Sequence, residues 1–357
     1  MKHFVKVTNY RPNVDLLVDN ILNDSSENIE VVYDAIGEFS HRTGVNDTFS
    51  EVSTLIKNQK ISKKHIIISE SRYNNTKYLD EFDVHFWDTF YITKTYFYLS
   101  NQHIQTPEYK YHYICLNGKP RNHRARLIDL LYKENLFDNG CISWNNSEGF
   151  DCSYSFKYWT PETIRLDINE NHLDIFDANQ ILSKGIKPDE YEKYKNKIED
   201  ITYYPLQFIP PAQFYSSFMQ VVAETLTFKS FITEKTAIPL FLQKPFLVVS
   251  CKNFHNTLTN YGFKLYDEIF DYSFDSLDTL EERIQGVIDN LNKICSFRLE
   301  ECTQLYNSIL HKLEHNRNRA IEIAKDTDLV PKIILENKKH IHHCDDVFQV
   351  LLGDRYE

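Results

Sequence analysis

Apolar residues in the first hundred positions fall into short pieces that alternate between strand-like and helix-like spacing. His3 to Val7 reads as an opening strand, and Asn13 to Asn23 places Val14, Leu16, Leu17, Val18, Ile21 and Leu22 at helical intervals. Glu30 to Tyr33 reads as a second strand and Phe49 to Lys57 as a helix. His65 to Ser69 carries Ile66, Ile67 and Ile68, a β-branched run suited to a parallel strand buried on both faces. Alternation of this kind predicts an α/β layer structure.

The pattern then restarts. Gln102 to Lys110, broken by Thr106-Pro107-Glu108, reads as a linker. Lys110 to Leu116 is a strand, Arg121 to Glu134 a helix with Leu127, Ile128, Leu130 and Leu131 on one side, and Gly140 to Trp144 another strand. Residues 150 to 205, rich in Asp, Asn, Lys and Tyr, read as an irregular insertion. Order returns with strand Ser217 to Ala223, a helix around Glu234 to Leu242, strand Phe246 to Ser250 and helix Phe254 to Tyr261. Beyond Ser276 long helices dominate, Leu280 to Leu313 and then Arg317 to Lys325.

Composition narrows the function classes. The chain has 357 residues, 42% hydrophobic and 25% charged, enough for two globular cores. Its net charge of -11 gives no general basic face for nucleic acid, and clusters such as Lys63-Lys64 read as solvated surface. The seven cysteines show no CxxC spacing and read as reduced thiols. The N-terminus lacks an apolar core region, and no stretch approaches the ~20 apolar residues of a membrane span. A cytoplasmic location is expected.

Three constellations could carry chemistry. Asn117-Gly118-Lys119-Pro120-Arg121-Asn122-His123-Arg124 joins a strand to a helix, and puts cations where helix N–H groups already favour an anion. Its plainer reading is a basic, solvent-facing helix start. In the second, Glu224 follows a strand, and Glu234-Lys235 opens the next helix, where a lysine can neutralise a diphosphate and a glutamate can hold ribose hydroxyls. The plainer reading here is a helix start with acidic first-turn residues. The third is Glu70, at the carboxyl end of the His65 to Ser69 strand and followed by Tyr78-Leu79-Asp80-Glu81-Phe82-Asp83.

Ala223-Glu224-Thr225, then Phe231-Ile232-Thr233-Glu234-Lys235 with ten residues from Glu to Glu, resembles the donor domain of the α-1,3-fucosyltransferases. The apolar strand after Lys244-Pro245 and the turn from Asn117 to Arg124 fit the same likeness, which covers chiefly residues 110 to 145 and 214 to 265. The resemblance implies a GT-B fold: two Rossmann-like α/β domains facing a cleft, with a helical C-terminal extension. The expected domains are residues 1–105 on the acceptor side, 106–280 for the donor, and the extension 281–357.

Site roles follow from the resemblance. Arg124 and Lys235 would bind the donor diphosphate, helped by Arg121 and Asn117. Glu234 would hold the ribose, Glu224 would sit near the sugar, and Glu70 would be the general base, with Glu38 as the alternative. Ser69 and Ser71 stand where the family has Gly and Asn, and Lys244-Pro245 replaces a small, Gly-rich stretch.

The implied activity moves a sugar from a nucleoside diphosphate sugar to the hydroxyl of a glycan or other acceptor, with inversion and without a metal or other cofactor. A homo-oligomer is compatible with the long helices. Two other readings stand beside it: a transferase acting on modified bases of phage DNA, and a non-catalytic nucleotide-sugar binding module. Asp326-Thr327-Asp328 has the form of a metal-binding DxD but lies in a charged helical region, not after a strand. His340-Ile341-His342-His343-Cys344 could ligate zinc, yet adjacent histidines near a terminus read first as surface residues.

Overall fold

The computed structural model describes residues 2–6, 30–34, 53–54, 64–69, 82–100, 108–117, 121–144, 210, 212–341 and 344–353. The expected helix Asn13 to Asn23, the insertion 150 to 205, and both candidate bases, Glu38 and Glu70, lie outside them. Over the described residues the chain is mixed α/β with two parallel sheets. Its contacts group it into two compact units, residues 1–94 with 323–357, and residues 95–322. The stretch 281–357, expected as a single extension, is therefore shared between the two.

In the first unit β1 (Lys2–Lys6), β2 (Glu30–Asp34), β3 (Lys64–Ser69) and β4 (Asp83–Phe86) lie side by side in sequence order, all parallel. Val32 and Ile66 to Ile68 are buried, as a sheet covered on both faces requires. Trp87 stacks on Phe348 with centroids 6.1 Å apart, which ties the last helix to this unit.

Helix α1 (Phe90–Leu99) follows, and then the second sheet. Its strands are β5 (Tyr111–Asn117), β6 (Gly140–Trp144), β7 (Ser217–Ala223) and β8 (Phe246–Val249), in the spatial order β6-β5-β7-β8, again all parallel. Every residue of β7 is buried, the continuous run expected of a central strand. Gly140 opens β6 beneath the ring of Tyr113, and a Cβ there would come within 2.1 Å of it.

Helix α2 (Asn122–Lys133) connects β5 to β6 and buries Leu127, Ile128, Leu130 and Leu131. It stops because Asn135 takes a left-handed φ of 55°. The N–H groups of Asn135 and Leu136 then donate to the carbonyls of Tyr132 and Leu131, a Schellman ending. After the short α3 (Ala212–Tyr215) come α4 (Glu234–Phe241), packed on β7, and α5 (Phe254–Asn260).

Helix α6 (Leu280–Cys295) starts with a full Thr279–Glu282 capping box and packs against α2 and β8. The expected single helix from Leu280 to Leu313 is instead two, because α7 (Leu299–Lys325) begins afresh. The Glu301 carboxylate accepts from the Arg298 N–H at 2.7 Å, and His112 Nε2 donates to the Phe297 carbonyl at 2.8 Å. The break expected between Leu313 and Arg317 is absent. Asn316 stays helical because its amide exchanges hydrogen bonds with Lys264, accepting at 2.7 Å and donating at 2.8 Å.

Helices α8 (Lys332–Glu336) and α9 (Asp345–Leu352) end the described chain. Among the described residues no helix is long and apolar enough to cross a membrane.

Candidate functional site

The order β6-β5-β7-β8 contains one reversal: from β5 the chain passes to β6 on one side, then returns to place β7 on the other. At such a switch point the connections after the two central strands diverge and leave a crevice at their carboxyl ends, where open α/β sheets bind ligands. The two strands are β5 and β7. The connections leaving them are those singled out in the sequence, one opening α2 and the other opening α4.

The junction after β5 brings Arg121, His123 and Arg124 to the start of α2. Arg121, the N-cap of α2, is extended at φ −150° and provides no side-chain cap, so the first turn has no capping oxygen of its own. Inside that turn His123 and Arg124 are buried, and both reach the end of β7. His123 Nε2 donates to the Glu224 carbonyl at 2.8 Å, and Arg124 Nη2 donates to the Ala223 carbonyl at 3.1 Å. The two junctions are thus fastened to each other by the protein itself.

The junction after β7 is organised by Glu224. Its carboxylate accepts from Thr225 N at 3.0 Å, Thr233 N at 3.1 Å, Thr233 Oγ1 at 2.7 Å and Thr236 Oγ1 at 2.6 Å. Four donors on one fully buried carboxylate satisfy it and leave nothing facing solvent. Glu224, expected beside a sugar, instead clamps the loop 225–233 and holds the start of α4. Thr233 caps that helix, its Oγ1 accepting from the Lys235 N–H at 3.3 Å. The cap presents Glu234 and Lys235, which form an ion pair; the lysine side chain is 22% exposed.

Electrostatics show how close the parts lie. Burial, then the Arg121 charge, lowers the Arg124 guanidinium to about 10, while Glu224 and Glu234 act in the opposite sense. Residues of both junctions therefore share one field. Burial, then Arg124, lowers the His123 imidazole to about 3, so this ring is neutral at physiological pH and acts as a hydrogen-bond donor, not a cation. Arg124 is only 2% exposed. It sits behind the surface as a fixed positive charge, while Arg121 and Lys235, among the described residues, are part-exposed.

Asn117 also departs from expectation. It is buried at the end of β5, and its Nδ2 donates back to Cys115, 3.5 Å to the carbonyl and 3.3 Å to the sulfur. The structure thus brings Arg121, Arg124, Glu224, Glu234 and Lys235 into one neighbourhood and turns Asn117 inward. His123 was the residue missed as a site member. Its neighbours in sequence suggested a basic turn, and only the fold reveals the contact with Glu224.

Two other clusters carry structural roles. His255 donates from Nδ1 to Asp275 at 2.8 Å and accepts from Val248 N at 3.2 Å, so both ring nitrogens are used. Asp326 accepts from the Asp328 N–H at 2.9 Å, so the DxD-like triplet caps a turn. His342 and His343 of the possible zinc cluster lie outside the described residues, and among those described no group of three or more His, Cys, Asp or Glu side chains could hold a metal.

No family model, curated protein or solved structure matches the chain.

Proposed function

We propose that the carboxyl ends of β5 and β7 form a site that binds the diphosphate of a nucleoside diphosphate sugar, and that the protein is a glycosyltransferase. The observation that carries this reading is the direct fastening of two strand-to-helix junctions at the switch point of the sheet. His123 and Arg124 of one are bonded to the end of the other. Cations gather there in a chain whose net charge is -11. A fixed positive field is what a departing diphosphate needs, because it stabilises charge that grows in the transition state.

In this reading Lys235 and Arg121 contact phosphate oxygens, and Arg124 adds charge from behind. The uncapped first turn of α2 offers N–H donors. Glu234, paired with Lys235, accepts from the ribose hydroxyls. The proposed architecture is GT-B, with the first parallel sheet belonging to an acceptor domain and Glu70, next after β3, acting as general base. The base takes the acceptor proton, the acceptor oxygen bonds to the anomeric carbon, and the nucleoside diphosphate leaves with the bonding pair. Positive side chains can supply the charge that a metal supplies elsewhere, so the reading includes no metal. The resemblance to the α-1,3-fucosyltransferases supports it, while Lys244-Pro245 in place of their Gly-rich stretch leaves the donor sugar open.

The test is a panel of nucleoside diphosphate sugars, read first by thermal shift and then by release of nucleoside diphosphate in the presence of glycan acceptors. A ligand that binds the native state raises the melting temperature. Stabilisation together with acceptor-dependent release supports the reading. Stabilisation without release, for every acceptor including modified DNA, makes the chain a binding module. No stabilisation by any donor contradicts the site.

A further inference from the structure

The loop that Glu224 clamps leaves one large apolar side chain in water. Phe228 is 62% exposed, the most exposed large hydrophobic residue among those described, while Leu226, Phe231 and Ile232 of the same loop are buried. The stem is fixed at both ends, since Thr225 N and Thr233 N donate to the one carboxylate. Near its start the Leu226 carbonyl accepts from Ser250 Oγ at 2.9 Å. The tip that carries Phe228 is thus held by rigid attachments, and packing against the protein does not account for its ring.

Phe228 stands four residues from Glu224, whose carbonyl meets His123. At roughly 3.3–3.6 Å per residue it lies no more than about 14 Å along the chain from that point. A nucleotide held by its diphosphate must extend its base away from the cations. A flat, apolar, exposed ring near them offers the π-face on which a base can stack.

We propose that Phe228 is the stacking platform for the base of the nucleoside diphosphate, a binding residue of the donor site. This rests on the reading of the site as a diphosphate site. Stacking accepts any planar base, so the loop supplies affinity for a nucleoside over a bare phosphate group and leaves the choice of base to other contacts.

The test is calorimetric titration of the full chain with pyrophosphate and with each of the four common ribonucleoside diphosphates, for wild type, Phe228→Ala and Phe228→Trp. The expected result is about tenfold weaker nucleoside diphosphate binding in Phe228→Ala. Pyrophosphate affinity should be unchanged, and Phe228→Trp should restore the nucleotide. Equal nucleotide affinity in wild type and Phe228→Ala overturns the inference, as does an equal loss for pyrophosphate. Wild type binding pyrophosphate as tightly as any nucleotide overturns the inference and leaves the anion site standing. No binding of either probe by the wild type overturns both. The side chain is exposed, so matching melting temperatures will separate these outcomes from misfolding.

Discussion

The imidazole of His123 donates its Nε2 proton to the main-chain oxygen of Glu224 at 2.8 Å, joining the first turn of α2 to the end of β7. The sequence separation is 101 residues, so the contact closes the switch point of the sheet. Burial and the neighbouring Arg124 charge keep this ring neutral, although the bond itself would favour the imidazolium, and the balance gives a pH signature.

His123 is lowered from 6.5 to about 3, mainly by burial. The unfolded chain therefore takes up a proton in a range where the native one does not. Its contribution to stability is complete above pH 6.5 and is lost as pH falls from 6.5 towards 3. Between pH 7 and pH 5 this single group should remove about 2 kcal/mol. Urea unfolding at the two pH values checks it. His123→Asn should show a loss smaller by about that amount, and an equal loss in both proteins would contradict the assignment.

Glu224 should act through the fold. Glu224→Ala leaves the Thr233 N–H and the Thr233 and Thr236 hydroxyls without their buried acceptor, at about 1–3 kcal/mol for a group left unsatisfied. Urea unfolding should show a loss of about 3 kcal/mol or more. Glu224→Gln, which keeps an acceptor, should lose less. Wild-type stability in Glu224→Ala would show that the clamp is not needed.

Lys244 is buried, donates to the Ser217 carbonyl and lies over the Phe214 ring at 4.8 Å. Burial lowers its ammonium from 10.5 to about 7. Between those values the unfolded chain holds the proton that the native chain has released, so stability rises with pH from 7 towards 10.5, by at most about 1.4 kcal/mol per pH unit from this group. Chemical denaturation at pH 7, 8 and 9 should show that rise in wild type and a flatter profile in Lys244→Met. Parallel profiles would contradict it.

Much of the second sheet was legible in sequence. Gly140–Trp144 and Ser217–Ala223 have the bounds the pattern gave, because buried parallel strands are continuous apolar runs. Elsewhere several elements were not, among them β4, only four residues with an Asp and a His, and α1, Phe-Tyr-Ile-Thr-Lys-Thr-Tyr-Phe-Tyr-Leu. The latter is aromatic and β-branched, and is buried over so much of its surface that no polar stripe marks a helical period. The split between α6 and α7 has no Gly or Pro to announce it, and part of its support comes from His112 on β5. For the site, spacing found the two junctions but not the roles within them. A carboxylate after a strand looks the same in sequence whether it faces a ligand or, like Glu224, four protein donors.

The central claim is that cations from both junctions act on one anion. Its most direct measurement is a double-mutant cycle, titrating a nucleoside diphosphate into wild type, Arg121→Ala, Lys235→Ala and the double variant, at low and moderate salt. The account predicts about tenfold weaker binding for each single variant, losses in the double that are not simply additive, and a reduced salt dependence in all three. Unchanged affinity in Lys235→Ala, or independent losses from two separate sites, would contradict it.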